Sequence, residues 1–215
     1  MSRQQNVERH RRHVLVRLGT ALAAVALLLV AAGLPLWHAK FSAPQYPQGL
    51  AISVYGNTVK GDLGEINELS HYIGMPPFDF VGMPELSLWP YVIALAIAAA
   101  VATVVTRRRW VQWIARAGVW LIPVGALVDI QFRLWQVGHS LDPTSPIRVE
   151  PFTPLVVGPT TLMNFTVFAT PGMSLLLIAL AAAVLSSAPY LARRLSPGPA
   201  AVAGAELADA KPQAP

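Results

Sequence analysis

The side chains best suited to chemistry lie in residues 61–78, the most polar segment of an otherwise apolar chain. A short helix is predicted over residues 62–74, where His71 and Met75 are four residues apart and share one face with Glu68. Imidazole and thioether groups, in a chain without cysteine, are a ligand set that favours copper, because soft thioethers bind Cu(I). His71 and Met75 are therefore candidate copper ligands.

A third candidate ligand, His139, lies in a second polar segment further along the chain. It would join His71 and Met75 only if the two polar segments fold together. Asn67 and Glu68 are candidates to orient His71 by hydrogen bonding to it without contacting the metal. The alternative is a solvated helix face, because methionine is also a common filler of apolar gaps. The spacing leaves both interpretations open.

Several other chemistries find no support in the sequence. The absence of cysteine excludes disulfides, thiolate metal sites and thiol catalysis. The chain contains no phosphate-binding loop, no dinucleotide fingerprint, no HExxH motif and no GxSxG motif. Because no acid–base pair or activated nucleophile is visible either, the sequence favours a protein that is not an enzyme.

Composition indicates a membrane protein. Of the 215 residues, 54% are hydrophobic and only 13% are charged, and the mean hydropathy is +0.48. The net charge of +5 comes from basic residues that flank apolar stretches rather than from a basic soluble face. They therefore act as topology determinants, and the expected partner is the lipid bilayer rather than nucleic acid.

The predicted fold class is an all-α membrane protein with four transmembrane helices and two ordered extracytoplasmic loops. The helices are predicted at residues 14–36, 86–106, 111–130 and 171–191. The basic segment before the first stretch leaves a cleaved signal peptide as the alternative to a retained anchor. The long apolar core and the lack of a clear cleavage site favour the anchor.

The distribution of Lys and Arg predicts the orientation. Basic clusters lie in residues 1–13, at residues 107–109 and at residues 193–194, which four spans would place together in the cytoplasm. The loops 37–85 and 131–170 would then be extracytoplasmic. The first is expected to hold short strands before the helix, and the second to be extended and Pro-rich. The tail, residues 192–215, is expected to be disordered and cytoplasmic.

The segments NELSHYIGMPP (67–77) and GHSLDPTSPIRVEPFTP (138–154) together resemble a group of small four-span bacterial membrane proteins. That group is associated with gene clusters for nitrous oxide reductase and the maturation of its copper site. The similarity extends through most of the chain to about Arg194. The matching positions are His71, Tyr72, Gly74, Met75, Gly138, His139, Leu141, Asp142 and Pro143. This chain has Ser70 where the group has Asn, so no role is carried over to that side chain.

The resemblance implies a multi-pass protein of the bacterial cytoplasmic membrane that works with an extracytoplasmic copper enzyme. The first hypothesis is an accessory protein for copper handling or for assembly of that enzyme, with copper held by the candidate ligands. The second is a non-catalytic scaffold or partner subunit of a membrane protein complex. In that case Tyr72, Phe78, Asp142 and the Pro-rich second loop would be a contact surface.

Overall fold

The structure is a computed structural model, and it describes residues 3–77 and 87–194. This part of the chain forms five helices and five strands. In order they are α1 (Arg3–Ala32), β1 (Pro35–Ala43), β2 (Tyr46–Tyr55), β3 (Val59–Gly61), α2 (Leu63–Tyr72), α3 (Trp89–Val105), α4 (Arg109–His139), β4 (Gly158–Leu162), β5 (Phe165–Pro171) and α5 (Met173–Arg194).

The prediction of an all-α fold was wrong, because the polar segments between the apolar helices pair with each other. The fold is 59% helix and about 20% strand, and the strands form one antiparallel sheet in the order β3-β2-β1-β5-β4. β1 begins directly after α1, and β5 ends directly before α5. Since α1 and α5 pack side by side, the two strands emerge together and pair from Trp37–Pro171 to Ser42–Thr166.

The prediction of four transmembrane helices is also corrected. Three described helices are long and apolar enough to cross a membrane: Val14–Ala32, Arg109–His139 and Met173–Ala192. α3 is apolar but has only 17 residues, which at 1.5 Å per residue is about 26 Å, short of a hydrocarbon core of about 30 Å. α4 is longer than predicted, because it continues through residues 131–139 instead of ending at residue 130.

The helices α1, α3, α4 and α5 pack into one bundle with a core rich in small residues. Its fully buried alanines lie on α1, α3 and α5: Ala24, Ala31, Ala100, Ala181 and Ala182. Small side chains let helix backbones approach closely, which is how membrane helices associate when water is absent. Ser174 at the start of α5 is fully buried and donates a hydrogen bond of 2.8 Å to the carbonyl of Ala31.

The bundle has a basic end and an end that carries the sheet. At the basic end, Arg17 of α1 donates hydrogen bonds to the carbonyls of Thr103 and Thr106, where α3 ends. At the other end, the Trp89 indole of α3 donates to the carbonyl of Ala32, where α1 ends and leads into β1. The sheet therefore caps the bundle at the end opposite the arginines.

One face of the sheet is apolar and covered, and the other is polar. The covered face carries Trp37, Ala39, Ile52 and Ala169, each at most 3% exposed, and residues of α2 and α4 pack onto it. This alternation is the period of two expected for a sheet that buries one side. On the other face, His38 and Ser53 form a hydrogen bond of 2.9 Å between their side chains.

Candidate functional site

A glycine-dependent turn ends α2 and sets where the candidate ligands lie. Gly74 has a φ of 74°, and the amides of Gly74 and Met75 donate to the carbonyls of His71 and Ser70 at 3.1 and 2.9 Å. This is a Schellman motif, which satisfies the last carbonyls of the helix. The helix thus ends at Tyr72 rather than at residue 74, and Met75 lies beyond it instead of one turn above His71.

The two polar segments are joined by backbone hydrogen bonds. The amide of Asp142 donates to the carbonyl of Gly74 at 2.9 Å, and the amide of Ile147 donates to that of Tyr72 at 3.0 Å. A Cβ on Gly74 would lie 2.8 Å from the backbone N and O of Asp142. The segments that carry the resemblance therefore contact each other, and Gly74 is the residue that permits the contact.

The chain after α4 folds back against that helix and is held there by two residues. The amide of Phe152 donates to the carbonyl of Gly138 at 3.2 Å, and a Cβ on Gly138 would come within 1.9 Å of the Phe152 oxygen. About two turns closer to the bundle, the side-chain amide of Gln131 donates to the carbonyl of Pro154 and accepts from the backbone amide of Val156, both at 2.9 Å. These bonds fix the segment between α4 and β4, residues 140–157, against α4 and the sheet; this segment is called the strip after α4.

A cavity of about 310 Å³ lies between this strip, the covered face of the sheet, α2 and the end of α4. Its volume is at the lower limit of typical ligand pockets. No Asp, Glu, Lys, Arg or His is among the described residues that line it. Its walls are mainly aliphatic and aromatic, with a few neutral polar groups such as Gln45, Ser70, Thr160 and Asn164. Such a site suits an uncharged, apolar group.

The mouth of the cavity is lined by large apolar side chains that are also exposed. Tyr72, Ile147, Leu155 and Met163 line the cavity, yet they are 55%, 41%, 50% and 58% exposed. They come from α2, from the strip after α4 and from the turn between β4 and β5. Exposed apolar residues gathered around a concave site mark a place where another molecule binds.

The structure places the three candidate copper ligands in different surroundings. His71 is exposed, whereas Met75 is half-buried and lines the cavity. His139 is exposed, stacks on Trp135 with ring centroids 4.8 Å apart, and has Nδ1 2.9 Å from the Trp135 carbonyl. In residues 3–77 and 87–194, no group of three His, Asp or Glu side chains is arranged to hold a metal ion.

The other candidate site residues also lie in different surroundings. On α2, Glu68 is exposed and Asn67 is half-buried. Tyr72 lies at the mouth of the cavity, whereas Phe78 is outside the described residues. Asp142 shapes its own loop: its Oδ1 accepts hydrogen bonds from the Thr144 amide and hydroxyl at 2.8 and 2.7 Å.

These hydrogen bonds make the loop around Asp142 sensitive to acid. The bond from the Thr144 hydroxyl lowers the pKa of Asp142, as do the bond from the Thr144 amide and, to a lesser extent, the charge of His71. A lowered pKa means that the carboxylate stabilises the fold above the ordinary Asp value of about 3.9, and that this contribution is lost as the pH falls through the folded-state pKa.

We therefore expect wild-type protein to unfold at a higher temperature than Asp142→Asn near pH 6, and the difference to shrink below about pH 4. The physical reason is that protonation makes the acid resemble the amide. Thermal unfolding of the two purified proteins between pH 6 and pH 2.5 measures this difference. A gap that stays constant over that range would show that the Asp142 charge does not contribute.

Apart from Tyr72 and Met75, the residues that line the cavity were not predicted from the sequence. Trp37 is 3% exposed, and its indole donates to the Val156 carbonyl at 2.7 Å, which ties the start of β1 to the strip after α4. The sequence places Trp37 only at the start of the predicted loop 37–85, directly after the first predicted helix. The alternation of Trp37, Ala39 and Phe41 was the available signal for a strand.

In comparisons with known proteins, no family model matches the chain and no curated protein matches it. The fold and the site define its class instead. It is a bundle of apolar helices, three of them long enough to span a membrane, that carries at one end an antiparallel sheet with an apolar cavity.

Proposed function

We propose that the protein is a non-catalytic, membrane-anchored binding protein that takes an apolar group of a partner membrane protein into its cavity. The observation that carries this proposal is the exposed apolar rim formed by Tyr72, Ile147, Leu155 and Met163 around a cavity without charged lining. Binding interfaces are commonly anchored by an aromatic or aliphatic side chain that fills such a pocket.

The energetics favour an apolar occupant. Moving one Leu or Phe side chain from water into an apolar site contributes about 1.5–3 kcal/mol, before the entropic cost of association. A charged group would lose its hydration and find no counter-ion on the described lining. The neutral polar groups Gln45 and Asn164 suit a peptide backbone or an amide rather than an ion.

The distribution of charge supports an orientation for the anchor. We propose that the basic end, with residues 107–109, faces the bacterial cytoplasm, following the rule that cytoplasmic segments are enriched in Lys and Arg. The sheet and its cavity would then lie on the extracytoplasmic side of the inner membrane. A reporter fused after Arg194 is expected to read cytoplasmic, and a periplasmic signal there would contradict the orientation.

Site-specific photo-crosslinking in intact membranes tests the proposed binding. A photoreactive residue at Leu155, at the mouth of the cavity, is expected to give one discrete protein adduct. The matched control is Phe168, which is similarly exposed at 54% but does not line the cavity. Equal adducts from both positions, or adducts with lipid alone at Leu155, would contradict a protein partner.

Copper handling is a second candidate, favoured by the geometry of His139. Its Nδ1 lies 2.9 Å from the Trp135 carbonyl, so Nδ1 donates and Nε2 keeps the lone pair that a metal needs. The exposed His71 would contribute a second ligand, whereas Met75 lines the cavity beyond the turn at Gly74 and would not. The resemblance to proteins associated with nitrous oxide reductase would make an extracytoplasmic copper enzyme the partner.

Cu(I) binding by the purified protein distinguishes this candidate. If it holds, wild-type protein binds about one copper ion, and both His71→Ala and His139→Gln weaken binding while the protein remains folded. His38→Gln is the control, because His38 forms its hydrogen bond to Ser53 on the opposite face of the sheet. Copper binding that is absent, or equal in the wild type and the three variants, would contradict a role in copper handling.

A further inference from the structure

Three arginines from different parts of the chain meet at the basic end of the bundle. Arg17 lies on α1, Arg107 in the turn between α3 and α4, and Arg116 on α4. Arg17 is close enough to both of the others for their like charges to interact unfavourably. Hydrogen bonds to the carbonyls of Thr103 and Thr106 hold the Arg17 guanidinium at this place.

Among the side chains that the structure describes, no carboxylate forms an ion pair with Arg17, Arg107 or Arg116. Apart from Glu8 on α1, the acidic residues in the described part of the chain belong to the segment from β3 to α2, to the C-terminal half of α4 and to the strip that follows it: Asp62, Glu65, Glu68, Asp129, Asp142 and Glu150. Arg116 also has a buried Nε without a hydrogen-bond partner in the described residues. A buried, unsatisfied donor is costly, and more so when it is charged.

The surroundings of the arginines are suited to lipid. Trp110 and Trp113, on the first turns of α4, are 60% and 71% exposed, as expected for aromatic rings in the interfacial region of a bilayer. On α1, Leu15 and Leu18 are 56% and 40% exposed next to Arg17 in sequence. Cationic groups therefore adjoin apolar surface that acyl chains can cover.

We propose that Arg17, Arg107 and Arg116 bind the phosphate of an anionic phospholipid headgroup. A guanidinium presents parallel N–H donors that match two phosphate oxygens, and the resulting bonds are stronger than those between neutral groups. The phosphate would offset the mutual repulsion of the three arginines and supply an acceptor for Arg116 Nε. Basic pockets between membrane helices are a general form of lipid site. The proposal does not depend on the cavity.

Binding to the full-length protein in detergent tests this site, with phosphatidylglycerol, phosphatidylcholine and inorganic phosphate as three separate probes. We expect phosphatidylglycerol to bind most tightly and to raise the unfolding temperature most. Arg116→Gln should bind it about tenfold more weakly, because one charge-assisted hydrogen-bonding group is lost. Arg133→Gln, at the opposite end of the same helix, is the charge-matched control and should bind like wild type.

Arg107→Gln provides a second variant. Because residue 107 lies in the turn between α3 and α4, this substitution does not change the interior of a helix. It too should weaken phosphatidylglycerol binding relative to Arg133→Gln. Equal binding of phosphatidylcholine, or unchanged phosphatidylglycerol affinity in both arginine variants, would overturn the proposal. Stabilisation by inorganic phosphate equal to that by phosphatidylglycerol would overturn the assignment to a lipid.

Discussion

Gly138→Ala is expected to detach the strip after α4 and to lower the free energy of unfolding by about 1–3 kcal/mol. A Cβ at this position would come within 1.9 Å of the Phe152 carbonyl oxygen. The backbone must move to relieve that contact, because the atom it meets is not the flexible end of a side chain. Movement would break the hydrogen bond from the Phe152 amide to the Gly138 carbonyl.

Gly125→Ala is the matched control, since Gly125 lies in the same helix and a Cβ there would have nothing within 4 Å. Thermal or denaturant unfolding of the two variants beside wild type provides the measurement. Gly125→Ala should be neutral or slightly stabilising, because alanine favours the helix. If the two substitutions had the same effect, the close approach of the strip to α4 would be contradicted.

Gly74→Ala is the second large effect, and it should disconnect the two polar segments. Its φ of 74° costs a residue with a Cβ about 1–2 kcal/mol, and that Cβ would also lie 2.8 Å from two backbone atoms of Asp142. The backbone strain and the steric contact both disfavour the turn that brings the Gly74 carbonyl to the Asp142 amide. We expect reduced stability together with faster hydrogen exchange at the amides of Asp142 and Ile147.

Two controls separate the causes. Gly64→Ala places the same methyl group in α2 with nothing within 4 Å and should preserve exchange at Asp142. Gly74→Asn tolerates the left-handed backbone better than alanine, so it should recover part of the backbone term but not the steric term. Unchanged exchange in Gly74→Ala would contradict the joining of the two segments.

The apolar helices and the short strands before α2 could be predicted from the sequence, whereas the pairing of the two polar segments into one sheet could not. Apolar stretches of about twenty residues carry their own signal, because each helix satisfies its hydrogen bonds internally. β1 also pairs with the neighbouring β2, and β5 with β4, but β1 and β5 pair with each other across about 130 residues, as at Trp37 and Pro171. No local window of sequence contains the evidence for that pairing. The prolines of the second loop suggested an extended chain but gave no indication of its partner.

For the site, the sequence drew attention to two polar segments that contact each other in the structure, but it did not indicate what they build. His71 and Met75 were grouped by assuming a helix through residue 74, whereas the Schellman turn at Gly74 separates them. Neither Gly138 nor Gly74 was predicted to make a close backbone approach, although these two approaches assemble the cavity. A close approach between two backbone segments exists only in the folded protein, so a single sequence does not show it.

The most direct test of the central claim, that the cavity binds a partner, compares Val167→Trp with Phe168→Trp. These neighbours lie on β5, where Val167 lines the cavity and Phe168 is exposed and does not. An indole at position 167 fills the cavity, whereas the same group at position 168 leaves it open. The readout is the protein adduct formed from a photoreactive residue at Leu155 in membranes, with unfolding temperature confirming that both variants fold.

We expect Val167→Trp to abolish the adduct and Phe168→Trp to retain it at the wild-type level. An adduct of wild-type intensity in folded Val167→Trp would show that the partner binds without entering the cavity, which would contradict the proposed function.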